Sequence, residues 1–207
     1  MSGDGFPDGF FTRADESPDD QFYAPLRLVT HIDAGAIAAV GALYRELGVH
    51  GDVLDLMSSW VSHFVEPPRR LTVLWMNDAE LEHNPVAAER VVHDLNTDPE
   101  LPFADASFDA VVCCVSVDYL VRPTDVFRSV ARVLRPGGAF VCTFSNRLFP
   151  TKAIRGWLMT DDAGHVAIVE RYFELAGGFG PPQSRRCPTP PGADPLYGVW
   201  AVRLEAS

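Results

Sequence analysis

The chain has 207 residues, is 47% hydrophobic and 22% charged, and carries a formal net charge of -11. A chain of this length and composition can bury a core of its own, and we expect one globular domain. It contains no apolar stretch near the roughly 20 residues that a membrane span needs. Its acidity argues against nucleic acid as a partner, because a phosphate backbone would be repelled.

Residues 1–20 hold six acidic residues and one basic residue among scattered Gly and Pro, which is typical of a mobile acidic arm. Phe6, Phe10 and Phe11 interrupt this pattern and predict either a lid over a site or a staple that fixes the arm to the body. We expect no signal peptide, because no basic region is followed by an apolar one. The four cysteines lack zinc-site spacing, which favours a reducing cytoplasm and no metal.

Residues 21–207 are predicted to form a single domain, with an N-terminal cap over 21–50 and an α/β core over 51–207. Asp33 is expected to cap a helix in the cap region, and buried apolar runs or helical periodicity indicate the later elements. The predicted strands span 53–56, 71–75, 90–93, 109–117, 139–144, 183–187 and 197–204. The predicted helices span 33–47, 80–82, 124–134, 152–157 and 165–176, with one more short helix capped by Ser59.

Residues 101–146 are the most informative stretch of the chain. The strand at 109–117 is followed by a helix, which Pro136-Gly137-Gly138 ends before the strand at 139–144 begins. Such a β-α-β unit with short loops is right-handed and belongs to a larger parallel sheet.

Motifs in this stretch resemble the signature of class I S-adenosylmethionine-dependent methyltransferases, in the small-molecule branch called type 11. These motifs are Leu101-Pro102-Phe103, Ser107-Phe108-Asp109 and Arg132-Val133-Leu134-Arg135-Pro136-Gly137-Gly138. The resemblance implies a Rossmann-like α/β sandwich with a seven-stranded, mostly parallel sheet, an antiparallel C-terminal strand and an N-terminal helical cap. It also implies S-adenosyl-L-methionine as the cofactor.

The resemblance places the amino-acid end of the cofactor over the turn that follows the first strand. The family carries an acid and three alternating glycines there, whereas this chain has Asp55 followed by Met57, Ser59 and Val61. Ser58 and Ser59 bring hydroxyl groups that can donate hydrogen bonds to a carboxylate in place of bare backbone. Asp55, Met57, Ser58 and Ser59 are therefore predicted to bind the cofactor.

The second and third strands end at further predicted cofactor contacts. In the resembling family an acid after the second strand binds the ribose hydroxyls. That position is Asn77 here, with Asp78 as the second candidate. Met76 is predicted either to contact the adenine face or to pack in the core. The resemblance assigns the adenine ring to Asp94 and Leu95, although Asp94 also suits an Asx turn.

The fourth strand ends at the predicted mouth of the site, where Ser116 is expected to contact the cofactor. Asp118 and Tyr119 form a polar pair that can orient or deprotonate an acceptor, although the same residues also suit a helix start and a packing Tyr. His31 in the cap is the third predicted catalytic residue, and His63 is a further candidate base.

These inferences predict a cytoplasmic methyltransferase that uses S-adenosylmethionine and transfers a methyl group in line to a small-molecule acceptor, without a nucleic-acid or membrane partner. The sulfonium is already activated, so the protein mainly aligns the reactants and excludes water. The alternative is a non-catalytic binding or scaffold protein, which is motivated by Met57, Ser59 and Val61 at the glycine positions. A further alternative is a non-binding relic in which Met57 and Trp60 close the crevice. A nicotinamide-dependent oxidoreductase is a third interpretation, against which the missing glycine fingerprint argues. The acceptor and the oligomeric state stay open.

Overall fold

The computed structural model describes residues 5–205 and is built around a seven-stranded sheet. Its strands are β1 (Asp52–Leu56), β2 (Arg70–Trp75), β3 (Glu89–Val92), β4 (Phe108–Cys114), β5 (Leu134–Phe144), β6 (Gln183–Cys187) and β7 (Leu196–Val202). They lie in the order β3-β2-β1-β4-β5-β7-β6, and β7 runs antiparallel to both of its neighbours. The predicted fold class, a Rossmann-like, mostly parallel sheet with an antiparallel C-terminal strand, is confirmed.

The helices are α1 (Asp19–Tyr23), α2 (Ala34–Glu46), α3 (Asp78–Glu82), α4 (Pro123–Val133), α5 (Arg155–Leu158) and α6 (Asp162–Ala176). Asp33, Asn77 and Asp161 start α2, α3 and α6 by accepting a hydrogen bond from the backbone three residues ahead. Helices α4 and α6 pack against each other, and α2 packs against β6 and β7. Within residues 5–205, no helix is long and apolar enough to span a bilayer.

The central strands are buried, and their register brings their ends together. In β1, Val53 and Leu54 are fully buried, as the apolar run of a two-sided parallel sheet requires. Asp55 pairs with Val73 of β2 and with Val112 of β4. The carboxyl ends of β1, β2 and β4 therefore finish at nearly the same level, and the loops that follow them meet at one edge of the sheet.

Two local differences from the predicted elements lie at this edge. Strand β4 ends at Cys114 instead of 117, because Val115 adopts a left-handed φ of 47° and a short 3-10 helix over Val117–Tyr119 follows. The short helix predicted to start at Ser59 is not formed, and the chain after β1 runs as a loop as far as β2.

The N-terminal residues differ from the predicted mobile acidic arm, because residues 5–20 pack onto the body. The Phe6 ring lies 5.7 Å from the Tyr172 ring, between centroids. Lys152 is fully buried, with its Nζ 3.1 Å from the Asp19 carboxylate. Burial of the aromatic rings and pairing of the acids outweigh the polar composition, so the staple alternative describes this segment. The first four residues of the predicted arm lie outside the described part.

Candidate functional site

A cavity of about 240 Å³ lies at the carboxyl ends of β1, β2 and β4. This edge is where open parallel sheets bind ligands. The wall is completed by the cap segment 23–31, the loop 57–63 after β1 and the loop 147–149 after β5. Of the predicted site residues, the cavity is lined by His31, Asp55, Met57, Ser58, Ser59, Ser116 and Tyr119, and not by Met76, Asn77, Asp94, Leu95 or Asp118.

Asp55 supplies a buried carboxylate to the cavity. Its Oδ2 accepts hydrogen bonds from Ser58 Oγ at 2.8 Å and from Ser62 Oγ at 2.6 Å, and Asn84 Nδ2 donates to Ser62 Oγ at 3.0 Å. Burial raises the pKa of Asp55 to about 6, and the two hydroxyl donors oppose that rise. At neutral pH the carboxylate is mainly ionised. Both hydrogen bonds end on Oδ2, and within residues 5–205 none ends on Oδ1.

The backbone is strained where β1 and β4 meet the cavity. Met57 stands where the family carries its first glycine, and it adopts the left-handed φ of 52° that glycine tolerates best. Val115 adopts a φ of 47°, which is unfavourable for a β-branched residue. Ser116 Oγ donates to the Met57 carbonyl at 3.3 Å and joins the two turns. Each such residue costs about 1–3 kcal/mol, and strained residues cluster at binding sites.

Met57 and Trp60 narrow the crevice without closing it. Met57 is buried and Trp60 is half-buried, and both form part of the cavity wall. Trp60 Nε1 donates to the carbonyl of Val29 at 3.0 Å, which ties the loop after β1 to the cap segment.

Glu80 is an acid of the site that the sequence reasoning missed. Asn77, the predicted ribose ligand, caps α3 by accepting from Glu80 N at 3.2 Å, and its Nδ2 donates to the Tyr23 carbonyl at 2.7 Å. Glu80 is 5% exposed, and its side chain accepts from Arg27 N at 3.0 Å and from Ser59 Oγ at 2.9 Å. Asn77 and Glu80 have the spacing of a capping box. That spacing was the sequence signal from which Glu80 could have been identified.

The end of β3 lies outside the cavity. Asp94 accepts hydrogen bonds from Asn96 N at 2.9 Å and from Thr97 Oγ1 at 2.7 Å, which is the Asx turn considered as its alternative role. Leu95 is 3% exposed within the core, and Met76 packs half-buried against the core. The residues expected at the adenine ring are therefore engaged in local structure.

The three predicted catalytic residues have different surroundings. His31 lies at the cavity mouth, where partial desolvation lowers its pKa. The Tyr119 hydroxyl accepts from Phe149 N at 2.8 Å, and burial raises its pKa far above the usual range. Asp118 lies behind the wall, where burial raises its pKa to about 8. At this pKa the carboxyl group is mainly protonated at neutral pH, which disfavours the predicted role of Asp118 as a base. The Tyr119 hydroxyl holds the loop after β5 in place.

Tyr23 forms the cavity wall between the ends of β2 and β4. Its ring packs edge-on against Trp75 at 4.9 Å and lies 6.5 Å from Tyr119, between centroids. The Tyr23 hydroxyl is buried and has no hydrogen-bond partner within residues 5–205. The cap therefore reaches into the site, as expected for the roof of such a fold.

Known sequences agree with this architecture. Residues 71–142 match the profile of a family described as a methyltransferase domain. Over 137 residues the chain is 30% identical to a malonyl-[acyl-carrier protein] O-methyltransferase of Hahella chejuensis, an alignment that covers 60% of this chain and 47% of that protein. Over 128 residues it is 31% identical to a ubiquinone/menaquinone biosynthesis C-methyltransferase of Pseudomonas fluorescens, with 57% and 47% covered. The chain thus spans about half the length of these curated relatives.

Solved structures share the fold at low sequence identity. A putative methyltransferase of Haloferax volcanii, solved with a methyltransferase activator, has a TM-score of 0.61 at 16% identity and covers 84% of this chain and 91% of its own. The 1,6-didemethyltoxoflavin-N1-methyltransferase of Burkholderia thailandensis, solved with S-adenosylhomocysteine, has a TM-score of 0.59 at 18% identity, with 83% and 79% covered. The profile match and the shared fold confirm the predicted resemblance to class I S-adenosylmethionine-dependent methyltransferases of the type 11-like branch.

Proposed function

We propose that the chain transfers a methyl group from S-adenosylmethionine to a small-molecule acceptor. The observation that carries this proposal is the cavity at the ends of β1, β2 and β4, into which two buried acids, Asp55 and Glu80, project from neighbouring strand ends. A buried acid that faces a cavity is costly unless a ligand or a partner offsets it, so this pair supports a cationic, hydroxyl-bearing ligand.

The residues present fit two polar parts of the cofactor, which are the amino group of its methionine part and the hydroxyl groups of its ribose. Asp55 Oδ1 is suited to the amino group of the methionine part, because Ser58 and Ser62 occupy only Oδ2. Glu80 is suited to the ribose, because a carboxylate has about four acceptor sites and the described bonds to Arg27 and Ser59 use only two of them. S-adenosylmethionine, when bound, supplies a methyl group activated on a sulfonium. The chain's own part is to align the acceptor and exclude water.

The cap segment must move for both reactants to bind. Cavities that hold drug-sized ligands measure roughly 300–1,000 Å³, whereas this one measures about 240 Å³. The hydrogen bonds of Val29 to Trp60 and of Arg27 to Glu80 join the cap to the site and are formed at the cavity wall. Breaking them would widen the cavity without disturbing the sheet, and re-forming them would exclude water.

A small-molecule acceptor is supported by the similar proteins. Their names refer to a malonyl group on an acyl-carrier protein and to ubiquinone or menaquinone biosynthesis, and one similar structure holds 1,6-didemethyltoxoflavin. The aromatic wall formed by Trp60, Trp75 and Phe149 suits such molecules better than a polymer.

A non-catalytic binding protein is the second candidate function. It is favoured by the engagement of Asn77 and Asp94 in a helix cap and an Asx turn, and by Met57 in place of glycine. Such a protein would bind a ligand in the cavity without turnover.

Calorimetric titration of the full chain with S-adenosylhomocysteine tests the proposal, with a thermal shift as the second readout. We expect saturable binding that the Asp55→Asn variant weakens. Consumption of S-adenosylmethionine with an acceptor panel then separates an enzyme from a binding protein. Absence of heat and of a thermal shift at millimolar ligand would refute both cofactor binding and methyl transfer.

A further inference from the structure

We infer that His63 is the base that deprotonates the acceptor, and that the acceptor is a planar, conjugated molecule with an ionisable hydroxyl group. This inference rests on the proposed function and adds to it the acceptor class and the residue that accepts the proton. It is carried by the placement of the histidines, the polarity of the cavity and the shape of its walls.

The hydrogen bonds of the six histidines divide them into two groups. Four rings bond to a backbone carbonyl oxygen: those of His50, His83, His93 and His165. This holds even where the ring is exposed, as in His50 and His83. The rings of His31 and His63 have no hydrogen bond within residues 5–205, and they are the two histidines that line the cavity. Their ring nitrogens are therefore available to a ligand.

The two imidazoles differ in position. His63 is half-buried in the loop after β1, whereas His31 is exposed at the mouth, with its ring 5.3 Å from that of Phe149. Burial lowers the pKa of His63, and the nearby His31 lowers it further, because two adjacent positive charges repel. His63 is therefore neutral at physiological pH and presents a lone pair inside the cavity.

The other ionisable groups around the cavity do not compete for this role. The neutral ones are Tyr23, Tyr44, Cys114 and Tyr119, all of which have their pKa raised by burial. The charged ones are Arg27 from the cap, Asp55 from β1, Glu80 from α3 and Arg147 after β5. The free Oδ1 of Asp55 and the open acceptor sites of Glu80 are assigned to the cofactor, and His31 is exposed at the mouth. These assignments leave His63 as the base inside the cavity.

The walls and charges of the cavity select the acceptor class. Trp60, Trp75 and Phe149 provide flat aromatic surfaces, against which a conjugated ring packs well. Arg27 adds positive charge at the mouth, whereas the charge of Arg147 is paired with Asp194 at 2.9 Å. The charge of Arg27 favours an oxyanion over an ammonium group. A weak base such as imidazole removes a proton readily from a phenol or an enol, and much less readily from an alcohol.

The proposed step balances without a further reactant. The acceptor hydroxyl gives its proton to a His63 ring nitrogen, and its oxygen forms a bond to the methyl carbon. The bond from that carbon to sulfur breaks, and its electron pair stays on sulfur. The products are a methyl ether, S-adenosylhomocysteine and a His63 imidazolium, which loses its proton to solvent.

The test uses catechol, which is protonated at neutral pH, as the acceptor probe and S-adenosylhomocysteine formation as the readout. We compare His63→Gln and His31→Gln with the control His50→Gln, whose ring lies just before β1, away from the strand ends that form the cavity. At neutral pH we expect His63→Gln to lower kcat by about 100-fold or more, with S-adenosylhomocysteine affinity unchanged. The deficit shrinks toward about pH 10, because the hydroxyl of catechol, a phenol, then ionises by itself. The control keeps the wild-type rate.

Histidine NMR titration supplies an independent readout. Removal of the neighbouring imidazole in His31→Gln should raise the pKa of His63, which a merely structural His31 would not do.

Three outcomes would overturn the inference while leaving the proposed function intact. They are wild-type rates in His63→Gln, a deficit that does not change with pH, and a wild-type protein that binds S-adenosylhomocysteine but does not methylate catechol at any pH. Absence of S-adenosylhomocysteine binding would instead refute the proposed function itself.

Discussion

The ends of β1 and β3 each carry an aspartate, but the two carboxylates have different roles. Asp55 keeps one oxygen free toward the cavity, because its serine donors converge on the other. Asp94 places both oxygens in its own turn, on Asn96 and Thr97. The strand-end position is shared, so availability to a ligand depends on which donors follow each strand. We therefore expect mutations to affect ligand binding at β1 and local stability at β3.

The largest effect is expected from Asp55→Asn. Loss of the charge should weaken S-adenosylhomocysteine binding by about 30–100-fold, since a hydrogen bond to a charged group contributes about 2–3 kcal/mol. Asparagine can still accept from Ser58 and Ser62, so the fold should be retained. Calorimetry gives the dissociation constant, and circular dichroism checks folding. An unchanged dissociation constant would remove Asp55 from the site.

Glu80→Gln should have the next largest effect on binding. It tests whether the acid after β2 acts together with the acid after β1. The amide keeps one acceptor for Ser59 or Arg27 but loses the charge, and we expect about tenfold weaker binding. Glu82→Gln is the matched control, since Glu82 is exposed on the same helix. Equal behaviour of the two variants would contradict a role for Glu80.

The pH dependence of S-adenosylhomocysteine binding further tests the role of Asp55 at the end of β1. The pKa of Asp55 is raised to about 6, so its charge is lost as the pH falls through that value and regained as the pH rises. Affinity for S-adenosylhomocysteine should therefore fall by up to about tenfold from pH 7 to pH 5. Titrations at several pH values should show this slope in the wild type and none in Asp55→Asn.

Tyr23→Phe tests the cavity wall that Tyr23 forms between the ends of β2 and β4. It removes a buried hydroxyl without a described partner, and should raise the free energy of unfolding by about 1 kcal/mol. Tyr119→Phe is the matched variant. It removes a hydroxyl that accepts from Phe149 N, and should lower the free energy of unfolding by about 1 kcal/mol. Urea denaturation measures both, and a destabilised Tyr23→Phe would show that the hydroxyl has a partner.

Asp94→Ala should have the smallest effect on binding. Because the carboxylate bonds within its own turn, we expect S-adenosylhomocysteine affinity within about twofold of the wild type. Loss of the turn should lower the free energy of unfolding by about 1 kcal/mol. A large loss of affinity would mean that the nucleoside reaches the end of β3 after the cap opens.

Local patterns in the sequence were sufficient for most of the architecture. The apolar run of β4, the periodicity of α4 and the cap at Asp33 each depend on neighbouring residues, so the sheet, its terminal hairpin and α2 were predictable. The resemblance carried by the 101–146 motifs agrees with the methyltransferase-domain profile that residues 71–142 match. The acid after β1 was also identified, because it directly follows the residues of its strand.

Tertiary structure decided which polar groups face the cavity. Asn77 is engaged by a carbonyl from Tyr23, and Glu80 by donors from the cap and from the loop after β1, all distant along the chain. Likewise, the acidic N-terminal residues pack because Lys152 and Tyr172 come from far along the chain. A sequence pattern specifies the strand end at which a side chain stands. The groups that compete for its lone pairs and hydrogens are brought there only by folding.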